Sequence, residues 1–137
     1  MKIVIDTSAI IAVIANEPEK AALIRQTQGA DLFAPVSLHA EIGSAFSAML
    51  KRQRINLEQV KTAIEIYRQI EMNLLEIELT QAIELASERN IYAYDAYVLA
   101  CAINENCLLL SLDSGLIRAA KSIGIEVLEV EDDANLS

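Results

Sequence analysis

Short apolar runs that read as strands recur along the whole chain, and stretches with helical spacing separate them. Lys2–Asp6 (KIVID), Leu32–Pro35, Leu74–Glu78, Cys107–Ser111 (CLLLS) and Ile125–Val130 are brief and apolar, as buried strands are. Ser8–Ala15 reads as a short helix, and Asn16 as the cap of a second one with Pro18 in its first turn, running to about Gln28 before Gly29. Ser37 reads as the cap of a helix from Leu38 to about Arg54. In Leu57–Glu71 the apolar residues Leu57, Val60, Ile64 and Ile70 repeat at helical spacing. Three further helices are predicted: from a Thr80 cap to Arg89, over Tyr94–Asn104, and over Ser114–Ile123 up to Gly124. Alternation of strands with helices along the chain predicts the α/β class, with a central, mostly parallel sheet of about five short strands flanked by helices on both faces.

A length of 137 residues fits one domain. Residues 1–130 are expected to form it, with 131–137 (EDDANLS) as a frayed acidic tail. The hydrophobic fraction of 53% excludes a disordered chain. Charges interrupt every apolar stretch, so no membrane span is predicted. The opening MKIVID does not resemble a signal peptide, and two cysteines provide neither a zinc pattern nor a disulfide framework. A cytoplasmic protein is the expectation. Twenty acidic residues against 11 basic ones, a net charge of -9, argue against holding a phosphate backbone by surface charge. Acids gathered in one pocket reverse that argument, because they can hold metal ions and metals can hold phosphates.

The placement of the acids therefore matters more than their number. Asp6 ends the first strand, and Asp113 stands two residues beyond CLLLS, so both belong at the same edge of a parallel sheet. Glu41 lies near the start of its helix among Leu38, Ala40, Ile42 and Ala45. Asp95 opens a helix among Tyr92, Ala93, Tyr94, Ala96 and Tyr97. Singly, each acid reads as a helix cap or a dipole charge. Together, all four stand near ends that can face one sheet edge, where ligands bind in such folds. Glu58, Glu65, Glu71, Glu84 and Glu88 lie on helical stretches and read as solvated. Four converging carboxylates repel one another, and a divalent cation relieves them. Oxygen-only ligands favour Mg²⁺ or Mn²⁺ over zinc. The chemistry such a site supports is phosphodiester hydrolysis by metal-activated water. On this reading Asp6→Asn leaves the metal-free fold as stable or slightly more stable.

Other residues carry weaker signals. Lys51, Arg52 and Arg54 are candidate nucleic-acid contacts, but also ordinary cations at a helix C-terminus, which is the favoured reading. Arg118 and Lys121 read as a solvated face. Tyr92, Tyr94 and Tyr97 are expected in the core, with base stacking as the alternative. His39 reads as surface or satisfied, not as a general base, and Cys101 and Cys107 as small buried hydrophobes.

Four segments, in order, resemble the PIN domain family, and most of all its VapC-type toxin nucleases, over nearly the whole chain. They are VIDTSAIIAVI, SLHAEIGSAF, YDAYVLACAI and LLLSLDSGLIRAAKSIGIEVL. The resemblance implies Asp6, Glu41, Asp95 and Asp113 as catalytic, metal-binding acids. It implies Ser8 and Ser111 as supporting hydroxyls, with Ser111 where the family commonly has Thr. It further implies a Mg²⁺- or Mn²⁺-dependent endoribonuclease with RNA as substrate, a homodimer, and a cognate antitoxin whose tail fills the groove and often points an Arg at the acids. A receiver-type phosphoacceptor needs an acid pair after the first strand and an acceptor Asp after the third. Here Asp6 stands alone and LLEIE is followed by Leu79 and Thr80. A haloacid-dehalogenase phosphatase needs an Asp where Ser8 stands. A non-catalytic PIN-fold interaction module is the remaining alternative, and the complete acid set argues against it.

Overall fold

In the computed structural model, residues 1–131 are described. Four parallel strands form one sheet in the order β3-β2-β1-β4. They are β1 (Lys2–Ile5), β2 (Asp31–Pro35), β3 (Asn73–Leu75) and β4 (Leu108–Leu110). The central strand β1 pairs Val4 with Phe33 on one side and with Leu109 on the other. Seven helices are described: α1 (Thr7–Ile14), α2 (Lys20–Thr27), α3 (Leu38–Lys51), α4 (Leu57–Arg68), α5 (Leu79–Arg89), α6 (Ala93–Glu105) and α7 (Ser114–Ser122).

The pleat of β1 divides the core in two. Ile3 and Ile5 face one way, into a cluster with Ile10, Leu23, Leu38, Phe46 and Val60 from α1 to α4. Val4 faces the other way, with Leu99, Cys101, Leu109 and Leu116 from α6, β4 and α7. A strand buried on both faces has to be apolar throughout, which is why KIVI carries no alternation. Truncating a core residue such as Leu99 to Ala is expected to cost about 2–5 kcal/mol.

The chain leaves β1 toward β2 and β3, then returns past β1 to place β4 on its other side. The connections therefore diverge between β1 and β4, and that switch opens a crevice at the carboxyl ends of these two strands.

Several boundaries differ from the sequence reading. The predicted fifth strand, Ile125–Val130, is reduced to a single bridge between Leu109 and Val127. β4 is only three residues long, and its Leu109 N–H and C=O bond Glu126 and Leu128. Beyond that point the backbone is taken by Gln26, whose side chain donates to the Glu129 carbonyl and accepts from the Glu131 N–H. Asn16 does not cap α2: it sits in the left-handed region at φ 57°, and the helix begins at Lys20. Thr80 lies inside α5, after an uncapped start at Leu79. α3 ends at Lys51 with Arg52 as its C-cap, short of Arg54. Gly29 and Gly124 take φ of 75° and 81° beyond α2 and α7, where the left-handed turn favours glycine. Of the expected tail, Glu131 is described and pairs with Arg25 at 3.2 Å, while 132–137 lie outside the described residues.

Candidate metal centre

Asp6 follows β1 directly and is the only buried charged residue among those described. Its extended backbone turns the chain into α1, and its Oδ1 accepts from the Ala9 N–H at 3.1 Å. Ser8 Oγ lies 2.8 and 2.9 Å from the two carboxylate oxygens, and Ser111 Oγ donates to Oδ2 at 2.7 Å. Both hydroxyls also accept backbone N–H groups from the loop after β4: Leu112 N–H onto Ser8 at 3.0 Å, and Asp113 N–H onto Ser111 at 2.9 Å. Each hydroxyl therefore aims its own proton at Asp6. The network ties the end of β1 to the end of β4 across the crevice. Burial still holds the Asp6 carboxyl above the ordinary aspartate range; the Ser111, Ser8 and Ala9 donors pull it down, and Asp113 pushes it up. Asp6 is thus both a helix cap and a buried acceptor of three donors, so the expectation that Asp6→Asn costs no stability sets the loss of those bonds against the relief of burial and repulsion.

Glu41 sits in the first turn of α3, half-buried. Its Oε1 accepts from Thr7 Oγ1 at 3.0 Å and its Oε2 from Ser37 Oγ at 2.7 Å. Burial raises its carboxyl, the two hydroxyls lower it, and Asp6 and Asp95 raise it again. Thr7 and Ser37 are the residues that sequence reasoning missed in this role. Ser37 was expected to cap α3, yet it makes no cap bond and turns to Glu41 instead. Its position four residues before Glu41, one helical turn away, was the available signal.

Asp95, in the first turn of α6, is half-buried and accepts no hydrogen bond from the described residues. Burial raises its carboxyl, followed by repulsion from Asp113 and Asp6. Asp113 is exposed and caps α7, accepting from Gly115 and Leu116 N–H at 2.9 and 3.2 Å through Oδ1 alone.

The four acids thus come from four elements and feel one another at one sheet edge. Among the described residues, no three of His, Cys, Asp and Glu stand close enough to form a ready-made metal shell. An all-oxygen donor set of this spread suits a cation that keeps much of its water, as Mg²⁺ does, better than one needing a closed protein cage. Lys51 and Arg52 are not brought near: they lie at the other end of α3, about 15 Å along the helix from Glu41. Arg54 lies past that same end. Lys121 pairs with Glu129 at 2.9 Å. His39 bonds Tyr67 through Nδ1, which satisfies it. Cys101 and Cys107 are buried as expected, and burial pushes the Cys101 thiol up to about 12. The tyrosine expectation is corrected: Tyr92 is 86% exposed and Tyr94 52%, so neither is a core residue.

The PIN domain family model matches residues 3–122. No curated protein sequence matches the chain. Solved structures that share its fold include these three. PAE2754 from Pyrobaculum aerophilum is 18% identical with a TM-score of 0.69, over 95% of this chain and 92% of that one. VapBC2 from Rickettsia felis, solved bound to a DNA fragment from its promoter, is 20% identical with a TM-score of 0.68, over 96% and 100%. FitAcB from Neisseria gonorrhoeae is 16% identical with a TM-score of 0.61, over 93% and 96%. At these identities the likeness is one of fold.

Proposed function

The chain belongs to the PIN domain family, and from that premise we propose that it is a Mg²⁺- or Mn²⁺-dependent endoribonuclease, the toxin of a toxin–antitoxin pair. The observation that carries this reading is the set of four mutually repelling acids at the β1/β4 switch point. The likeness to VapBC2 and FitAcB supports the toxin part. Asp6, Glu41, Asp95 and Asp113 would hold the ion. When bound, such an ion polarises a phosphate oxygen and supplies an acidified water for in-line attack.

The chain's own residues divide the remaining work. Ser8 and Ser111 fix the Asp6 carboxylate in one orientation. Thr7 and Ser37 do the same for Glu41, one hydroxyl to each oxygen. Asp113 spends Oδ1 on backbone N–H groups, which leaves Oδ2 without a partner among the described residues. Asp95 has no internal donor, so its carboxylate is free to orient the attacking water and take its proton. The enzyme acts in the cytoplasm as a homodimer. Its antitoxin presents basic residues to the acidic crevice, which a net charge of -9 favours.

Incubation with structured RNA and Mn²⁺ or Mg²⁺, with and without chelator, tests the reading. Cleavage that chelator abolishes, and that falls about a hundredfold or more in Asp95→Asn, is expected. Wild-type protein that cuts no RNA with either ion would instead leave a non-catalytic PIN-fold interaction module.

A further inference from the structure

A small cavity of about 230 Å³ opens beside the acids, at the carboxyl ends of β2 and β3. Pro35, Val36, Leu75 and Ile77 make its apolar walls, and Ser37 and Tyr97 complete the lining. A backbone bond from Val36 N–H to the Leu75 carbonyl, 2.9 Å, holds two of these walls together. Two links join the cavity to the candidate metal centre. Ser37 both lines it and donates to Glu41. Tyr97 lines it from the first turns of α6, two residues past Asp95. The Tyr97 ring meets the half-exposed Tyr94 ring edge-to-face, with centroids 6.1 Å apart. The Tyr97 hydroxyl makes no hydrogen bond among the described residues.

We propose that this cavity is a base-binding subsite, which takes the unstacked nucleobase of a nucleotide adjoining the cleaved bond of a single-stranded RNA. The proposal rests on the nuclease reading above and adds how the substrate is gripped. A flat ring fits an apolar cleft walled by Tyr97, and Tyr94 extends the aromatic surface at its mouth. The free Tyr97 hydroxyl and the Ser37 hydroxyl supply the polar groups that such pockets use to fix orientation. Charge points the same way. With 20 acids against 11 cations, the chain has little electrostatic hold on a phosphate backbone. Stacking of a base on an aromatic ring does not depend on that hold, and the cavity is too small for a helix of a protein partner.

The test measures binding of a short single-stranded RNA by fluorescence anisotropy in chelator, so that no cleavage is needed. A series of strands carries one abasic position each, which removes a base and keeps the backbone. Wild-type protein is expected to bind one abasic strand about tenfold more weakly than the intact strand. Tyr97→Ala is expected to lose that discrimination, and Tyr97→Phe to keep most of it. Val36→Trp, which blocks the mouth from an exposed position, provides the same readout should Tyr97→Ala fail to fold. Equal loss of affinity for intact and abasic strands in Tyr97→Ala or Val36→Trp would overturn the subsite. So would a change in oligomeric state in these variants with base discrimination intact, which would assign the face to a second copy of the chain. Failure of the nuclease reading is distinguishable: wild-type protein would then cut no RNA with Mn²⁺, whatever the anisotropy shows.

Discussion

Asp6 and Asp95 belong to one candidate site, yet the fold treats them in opposite ways. Asp6 is buried, caps a helix, and draws donors from Ser8, Ala9 and Ser111. Asp95 is half-buried and draws none, and two exposed tyrosines precede it. The β1/β4 end of the crevice is therefore built by folding itself, since the same contacts that orient Asp6 also staple two strand ends. The α6 end is spared by folding: nothing in the core needs the Asp95 charge, and burial only makes it costlier. A group that stability does not explain is the better candidate for chemistry, and a group that stability does explain is the better scaffold for it.

Replacement by alanine separates the two with the largest effects. Both Asp6→Ala and Asp95→Ala are expected to lower RNA cleavage by about a hundredfold or more. Only Asp6→Ala is expected to lower the metal-free stability, by about 1–3 kcal/mol, because it removes a cap and leaves buried hydroxyls without their acceptor. Asp95→Ala stays within about 0.5 kcal/mol of wild type. Urea unfolding in chelator measures both. Equal stability losses would show that Asp95 is also structural and would erase the contrast.

The legibility of the sequence follows the same division. KIVID and CLLLS were readable as strands because burial on both faces forces an apolar run, and Asp6 and Asp113 were placed at one edge by parallel topology alone. The site needed more than position. That Ser8 and Ser111 support Asp6 came from the family resemblance; the Ser37 bond to Glu41 left a signal in its spacing of four residues, whereas the Thr7 bond joins separate elements and was not legible. Tyr92 and Tyr94 were misread because helical spacing assigns a face but not what covers it; on α6 the buried stripe is supplied by Val98, Leu99, Cys101 and Ala102 instead. Ile125–Val130 failed as a strand because its partner β4 is short and Gln26 competes for its backbone.

Titration sharpens the comparison with a smaller effect. Burial first, then Asp113 and Asp6, hold the Asp95 carboxyl above the ordinary aspartate range. A raised acid keeps its proton longer in the folded state than in the unfolded one. Its stabilising contribution is present below the ordinary carboxyl range, at about pH 4. It is lost as pH rises through the folded value. In chelator, Asp95→Asn is therefore expected to gain stability relative to wild type as pH rises from about 4 to about 7. Mn²⁺ at neutral pH is expected to reverse the order, because wild type then binds the ion and the variant binds it less. Urea midpoints across this pH range, with and without Mn²⁺, provide the check. A difference that does not vary with pH in chelator would break the claim that Asp95 is strained in the metal-free fold.

The smallest effect is expected where cations might have extended the site. Lys51 and Arg52 lie about 15 Å along α3 from Glu41, with Arg54 beyond them. That exceeds the screening length of about 8 Å at physiological ionic strength. Their charges complement the carbonyl end of α3 instead, as cations do at helix C-termini. Replacing all three with Ala is expected to change KM for RNA less than about twofold and to cost about half a kcal/mol of stability. A KM that rises tenfold, and a rise that vanishes at high salt, would carry the RNA path along α3 and away from the tyrosines. The division between a folded-in and a spared end of the crevice would then describe only half of the substrate surface, because the grip on RNA would lie with the backbone and not with the base.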